Sequence, residues 1–331
     1  AYKNGSLRDN GLKANSFKQT LKHLTDKGFP FVLLTPSLII TLFLTILPLL
    51  FGILLAFTNY SSPNHLPPKN LVDWVGFKSF VQLFTMKGWS STFLHVFGWT
   101  LIWTVLSTLT CFFVGLIFAV FINAQGIRFK PFWRAIFLLP WAVPQFISIL
   151  IFHDLFNENL GPINDYLNAI HLPSVPWFSN PLVVKILLVT VNIWFGFPYW
   201  TMLMSGIMTA INQELYEAAD VDGASSFQKF RSITLPTVMF STAPLLIMSF
   251  AGNFNNFNVI YLLTQGGPPN SSYMYAGSSD ILISWMYNMT LNVGQYNMAS
   301  VIAFLIFIAM SIVTTWQLRK TRAFREEDMM S

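Results

Sequence analysis

The chain has 331 residues, 53% of them hydrophobic and only 10% charged, with a net charge of +5. Soluble domains carry about a quarter charged residues, so this balance excludes an ordinary water-soluble enzyme or binding module and predicts an integral membrane protein. The one cysteine, Cys111, lies in an apolar run and the five histidines are scattered, which excludes disulfides and leaves no metal-ligand pattern.

The elements follow in order. A basic segment, 1–30, carries Lys3, Arg8, Lys13, Lys18, Lys22 and Lys27. The first apolar span is 31–57, too long for a signal-peptide core and without a small-residue cleavage site after it. Residues 61–90 contain Pro63, Pro67 and Pro68 and read as an irregular connection. A second span covers 92–122, then come Arg128, Lys130 and Arg134, and a third span covers 132–152. Residues 153–180 hold Gly161-Pro162 and Pro173, with room for a short surface helix between them. The fourth span is 181–209, a polar stretch fills 210–236, and the fifth span is 237–263. Residues 264–292 open on the breaker cluster Gln265–Pro269, the sixth span is 293–318, and 319–331 form a tail. Strand-like alternation is absent, which argues for an all-α protein of six helices and against a β-barrel. The expected division is a segment 1–30, a first span with its loop at 31–91, a core of five spans at 92–318, and the tail.

Fifteen of the nineteen Lys and Arg residues fall on one side of a six-span chain. The other side keeps Lys69, Lys78, Lys87 and Lys185. Basic residues mark cytoplasmic loops, so both termini and the 210–236 segment are expected in the cytoplasm.

Two absences bear on function. There is no G-x-x-x-x-G-K-[ST] run, so nucleotide phosphates are not cradled by that device. No ionisable residue sits in the middle of a span, since His95, Arg134, His153, Asp154 and Lys185 all lie near ends. Ion-driven carriers commonly accept a charged group at membrane depth, so this pattern argues against an ion-coupled secondary sugar carrier and for an uncharged substrate. No paired carboxylates or metal cluster at depth suggest an enzyme, and no catalytic residue is expected.

Polar groups do occur at depth. Residues 249–258 place four asparagines within six positions, and helical spacing puts Ser249, Gly252, Asn253 and Asn256 on one face. Asn255 and Asn258 fall to the side. Residues 192–199 bring Asn192, Phe195 and Tyr199 together with Gly196 and Pro198, which can bend a helix. Amides both donate and accept, as sugar hydroxyls require. The same amides can instead bind one helix to another. The two readings stand side by side.

The stretch 217–236 begins Glu217-Ala218-Ala219, has Gly223 four residues after the second alanine, and closes on Ile233-x-Leu235-Pro236. The alanines favour a short helix able to lie close in a partner's groove, Gly223 permits a sharp turn, and Pro236 fits the start of the next helix. This spacing resembles the cytoplasmic "EAA" coupling loop of importer-type ABC transporter permeases. The runs at 139–157, 191–199 and 249–257, the last followed by 262–268, are similar to the larger membrane subunit of maltose/maltodextrin importers (MalF-like).

That resemblance implies a type I ABC importer permease bundle in the bacterial cell membrane, importing maltose or maltodextrin or another neutral oligosaccharide. It implies substrate contacts at Asn192, Phe195, Gly196, Tyr199, Ser249, Gly252, Asn253 and Asn256, with a glycine at 252 where the enterobacterial subunit has phenylalanine. It implies ATPase coupling through Glu217, Ala218, Ala219, Gly223, Ile233, Leu235 and Pro236. The implied partners are a homologous second permease (MalG type), two copies of an ABC ATPase and an extracytoplasmic sugar-binding protein. ATP would be bound by the ATPase, with no cofactor on this chain.

Overall fold

The computed structural model describes residues 29–61, 72–124 and 126–320. The basic cluster within 1–28, the proline run at 63–68, and Arg322 and Arg325 lie outside the described residues. Helix is the only regular structure among the described residues, with two isolated bridges, Thr58 to Trp74 and Pro269 to Gly277.

The chain divides into two compact units, Ala1–Leu55 and Ala56–Ser331. The first contains α1 (Phe29–Thr41), a π-helical turn (Leu42–Ile46) and α2 (Leu47–Leu55). Its stretch Leu33–Leu55 holds 23 residues, about 35 Å of helix, enough for the hydrocarbon layer. The wide turn falls just before Pro48, whose missing N–H and ring disturb the preceding carbonyl ladder.

The second unit is built along α4 (Lys87–Asn123), preceded by the short α3 (Lys78–Thr85) in the connection expected to be irregular. The next apolar segment, expected as one span at 132–152, is two helices, α5 (Lys130–Ala142) and α6 (Gln145–Leu155), which meet at 85°. The cause is local. Val143, ahead of Pro144, is forced out of the helical region to φ −105°, ψ 132°. α7 (Pro162–Ala169) is the surface helix anticipated between Gly161 and Pro173. α8 (Pro181–Thr209) starts at Asn180, whose side chain accepts from the N–H groups of Leu182 and Val183. It runs as one helix through Gly196 and Pro198, the two residues able to bend it.

α9 (Gln213–Val221) and α10 (Ser226–Lys229) follow, then a π-helical turn (Phe230–Thr234) leading directly into α11 (Leu235–Phe254). Pro236 stands in the first turn of α11, as expected, but α11 is continuous with the helical turns before it. The wide turn before it accommodates the ring, and helix continues from Ser226 to Phe254. At Asn255 the helix ends, and α12 (Phe257–Thr264) begins with Asn256 as its cap. Asn256 thus belongs to a different helix from Ser249, Gly252 and Asn253, contrary to the single face expected. α13 (Leu282–Asn288) and α14 (Tyr296–Lys320) complete the order.

Among the described residues five stretches are long and apolar enough to cross a membrane, or six when α5 and α6 count as one broken span. The core follows α4 downward. Trp89 and Val96 pack with Trp285, Met289, Met298 and Ile302. Trp99 and Trp103 meet Leu187, Leu188, Val191, Ile260 and Ile149. Phe112 and Leu116 meet Trp200, Met204 and Val238. α4 and α8 approach closely where both carry glycine. A Cβ on Gly115 would strike Trp200, and one on Gly196 would strike Cys111. Small residues at crossings are how membrane helices gain contact when lipid offers no hydrophobic drive.

Candidate functional site

The α4–α8 crossing and the end of α11 enclose a cleft of about 250 Å³. It is lined by Cys111, Gln145, Asn192, Phe195, Gly196, Tyr199, Trp200, Ser249, Gly252 and Asn253. Seven of the eight residues singled out in the sequence as substrate contacts are on this list. The eighth, Asn256, stands behind the wall. Its Nδ2 donates to Asn192 Oδ1 at 3.0 Å, and its own Oδ1 caps Val259.

The asparagines form one network. Asn192 Nδ2 donates to Asn253 Oδ1 at 3.3 Å, and Asn253 Nδ2 donates to Thr108 Oγ1 at 3.1 Å. Trp103 Nε1 donates to the Asn253 carbonyl at 3.0 Å. Four segments, α4, α8, α11 and the start of α12, are held by side-chain amides that would otherwise be costly at this depth. Each amide retains hydrogen-bonding capacity beyond these partners, since an Asn offers two donors and two acceptor lone pairs. The helix-binding and ligand-binding readings are therefore compatible for Asn253, which faces the cleft. Asn192 is 5% exposed and mostly committed to its neighbours. Asn255 and Asn258 are exposed and outside the network, as their position to the side anticipates.

Aromatic residues form the opposite character of the cleft. Tyr199 stacks with Trp141 at a centroid distance of 6.3 Å, and Trp141 Nε1 donates to the Phe195 carbonyl at 3.1 Å. No Lys, Arg, Asp, Glu or His lines the cleft. Aromatic faces with amides and no formal charge suit a neutral polyhydroxylated ligand. Sequence reasoning missed Cys111, Gln145 and Trp200. Cys111 and Trp200 carry no polarity pattern and enter only through the helix crossing. Gln145 had one signal, an amide directly after Val-Pro in an apolar run. Among the described residues no group of three metal-ligating side chains is close enough to hold an ion.

The second candidate region is the α9 segment. Asn212 caps it by accepting from Glu214 N–H at 3.1 Å. The helix ends where Gly223 adopts φ +74°, and Ala224 N–H bonds back to the Ala219 carbonyl at 2.9 Å. Ser225 and Gln228 then form a reciprocal capping box for α10. Two links tie α9 to the long helix: Tyr216 Oη with Thr234 Oγ1 at 2.8 Å, and Lys229 Nζ with Asp220 at 2.6 Å. Glu217 and Ala218 are exposed, Ala219, Ile233 and Leu235 half-buried, and Pro236 exposed. The apolar side chains of Leu215, Val221 and Phe227 also stand exposed around them.

At the end of the molecule near Trp99, two loops are held rigidly. Glu158 accepts from Phe178 N–H and Ser179 N–H, both at 2.6 Å, and from the Ser179 hydroxyl. Burial pushes this carboxyl up, but those three donors outweigh it and the net shift is downward. Asp280 accepts from Ser284 Oγ at 2.7 Å and from Gly277 N–H at 2.8 Å. Burial dominates there and pushes its carboxyl up to about 6.

Comparison with known proteins agrees with this architecture. The family described as "Binding-protein-dependent transport system inner membrane component" matches residues 111–323. The chain is 42% identical over 328 residues to the galactooligosaccharides transport system permease protein GanP of Bacillus subtilis, covering 99% of this chain and 78% of that protein. It is 40% identical over 337 residues to the maltodextrin transport system permease protein MdxF of the same organism, covering 99% and 77%. Among solved structures, a bacterial ABC transporter that imports the acidic polysaccharide alginate aligns with a TM-score of 0.73 at 24% identity, covering 92% of this chain and 99% of that one. That likeness speaks to the fold alone. The chain belongs to the binding-protein-dependent transport system inner membrane component family, and is a multi-pass membrane protein.

Proposed function

We propose that this chain forms half of the translocation pathway of an ATP-driven importer of neutral oligosaccharides, with maltodextrins as the first candidates. It lies in the cytoplasmic membrane with six spans, the broken α5–α6 pair counting as one, and both termini in the cytoplasm. The excess of Lys and Arg on that side supports this orientation. The observation that carries the reading is the uncharged cleft, in which seven residues picked out by sequence converge on one space between α4, α8 and α11.

The chain performs no chemistry in this reading. A homologous permease of the MalG type completes the pathway, two copies of an ABC ATPase bind ATP and dock on the α9 side, and an extracytoplasmic sugar-binding protein delivers substrate. The chain itself holds no cofactor. The exposed Glu217–Ala218 surface of α9, flanked by Leu215 and Val221, suits a groove on the ATPase. Movement of α9 reaches the long helix through the Tyr216–Thr234 and Asp220–Lys229 links. That helix runs without a break for 29 residues from Ser226 to Phe254, about 43 Å, and presents Gly252 and Asn253 at its far end. A push at one end therefore displaces the cleft wall at the other.

A second reading, galactooligosaccharides as substrate, is favoured by the likeness to GanP. The test is ATP hydrolysis by the assembled complex in proteoliposomes, stimulated by a panel of sugars. Maltodextrins should stimulate and oligouronates should not. Stimulation by galactooligosaccharides alone would move the substrate assignment to the second reading, and stimulation by oligouronates would end the neutral-substrate proposal.

A further inference from the structure

The residues first picked out as sugar contacts lie on α8 and α11 and around the start of α12. The cleft has a third wall at the break between α5 and α6. Gln145, the first residue of α6, lines the cleft, is exposed, and makes no side-chain hydrogen bond among the described residues. It lies near the middle of the apolar run 132–152. An amide at that depth with no protein partner must face water or a ligand, because hydrocarbon offers neither donor nor acceptor. Trp141, at the other side of the break, is 54% exposed. Its indole N–H is already given to the Phe195 carbonyl, so only its ring remains for recognition. That ring lies nearly parallel to Tyr199, with 28° between the planes. Together the two rings make a broad aromatic surface beside a free amide.

We infer that the 85° break positions Gln145 and Trp141 as specificity-determining contacts of the pathway, Gln145 hydrogen-bonding sugar hydroxyls and the Trp141 ring stacking on the apolar face of a pyranose. This rests on the reading of the cleft as the sugar path. A straight span would align residues 141 and 145 along one helix face. The break at Val143-Pro144 separates them: the amide of Gln145 lines the cleft, and the ring of Trp141 packs behind its lining residues Phe195 and Tyr199.

The test is binding of radiolabelled maltotetraose to the detergent-purified membrane complex, with assembly followed by size-exclusion chromatography. Gln145→Leu should weaken binding about ten-fold, the effect of losing one hydrogen-bonding group, with assembly unchanged. Gln145→Met serves if the leucine variant assembles poorly. Trp141→Leu should weaken binding by a similar factor. Trp141→Phe keeps a ring and loses only the N–H to Phe195, and should stay within about three-fold of the native complex. Native affinity in the Gln145 variants, or equal losses for Trp141→Phe and Trp141→Leu, overturns the inference. Gly252→Trp separates this from the underlying reading, because Gly252 lines the cleft and a Cβ there would meet nothing within 4 Å. If Gly252→Trp blocks binding while the Gln145 and Trp141 variants bind normally, only the inference falls. If the native complex binds neither maltotetraose nor a galactotetraose, or Gly252→Trp binds the sugar as well as native, the sugar-path reading falls and takes the inference with it.

Discussion

Asn256 donates to Asn192 at 3.0 Å across the gap between α12 and α8, two positions 64 residues apart in sequence. Asn192 is almost fully buried and in turn donates to Asn253, which faces the cleft. Asn256 therefore holds two cleft residues, Asn192 at 3.0 Å and Asn253 at 3.5 Å, and does not line the cleft itself. Asn256→Leu leaves Asn192 Oδ1 buried without its donor, which costs about 1–3 kcal/mol. The expected outcome is a lower melting temperature of the purified complex together with a weaker sugar response of ATP hydrolysis. Lower stability with an unaltered sugar response would assign the network to helix binding alone.

Gly223 stands at φ +74° with no atom within 4 Å of where a Cβ would sit. Any side chain there is strained by the backbone and meets no crowding within this chain. Gly223→Asp should insert into the membrane at native levels and lose transport, through a shifted α9 and an added charge on the docking face. Asparagine tolerates this backbone region better than other residues, so Gly223→Asn should retain more transport than Gly223→Val. Membrane abundance and uptake, measured on all three, check the order. Equal, full uptake in all would remove the coupling role from this turn.

The carboxyl groups of Glu158 and Asp280 should respond to acid in opposite directions. Asp280 is raised to about 6 by burial, above its ordinary value of 3.8. Its neutral form is the one the fold favours, so the loop at 265–281 gains stability as pH falls through 6 and holds the full gain below 3.8. Glu158 is lowered from 4.5, so the stability it adds is present above that value and is lost as pH falls through the lowered one. Hydrogen exchange should show the 265–281 amides better protected at pH 5 than at pH 7, and Asp280→Asn should flatten that difference. Equal protection at both values in the native chain would contradict the burial of Asp280.

Much of the fold was legible because apolar runs long enough for hydrocarbon have few alternatives. Four of the six expected spans appear as long helices within a few residues of their expected ends; the third is broken, and the fifth starts at Ser226 and is interrupted at Asn255. Hydropathy does not distinguish a proline that breaks a helix from one that a wide turn absorbs. Pro144 breaks its segment, Pro236 sits inside a continuous helix, and Pro198 interrupts nothing. The short helix and turn at 213–229 were readable from local spacing, since caps and the Gly223 turn are local devices. The cleft was readable where it uses amides in apolar runs. Its Cys111 and Trp200 walls were not, because they depend on where Gly115 and Gly196 let two helices touch.

Gly252 offers the most direct test of what the cleft measures. The position is exposed, lines the cleft, and has open space where a side chain would project. Gly252→Phe therefore costs little in packing and places a ring opposite the aromatic pair Tyr199 and Trp141. In a space of about 250 Å³ the added ring removes room that a longer chain would use, and adds a stacking face for a short one. The ratio of initial uptake rates for maltose over maltohexaose should rise several-fold, while abundance in the membrane stays native. The added methylenes and ring favour the bilayer, so insertion does not suffer. An unchanged ratio with unchanged abundance would mean that the sugar does not pass Gly252, and the pathway would then have to be sought away from the α4–α8 crossing.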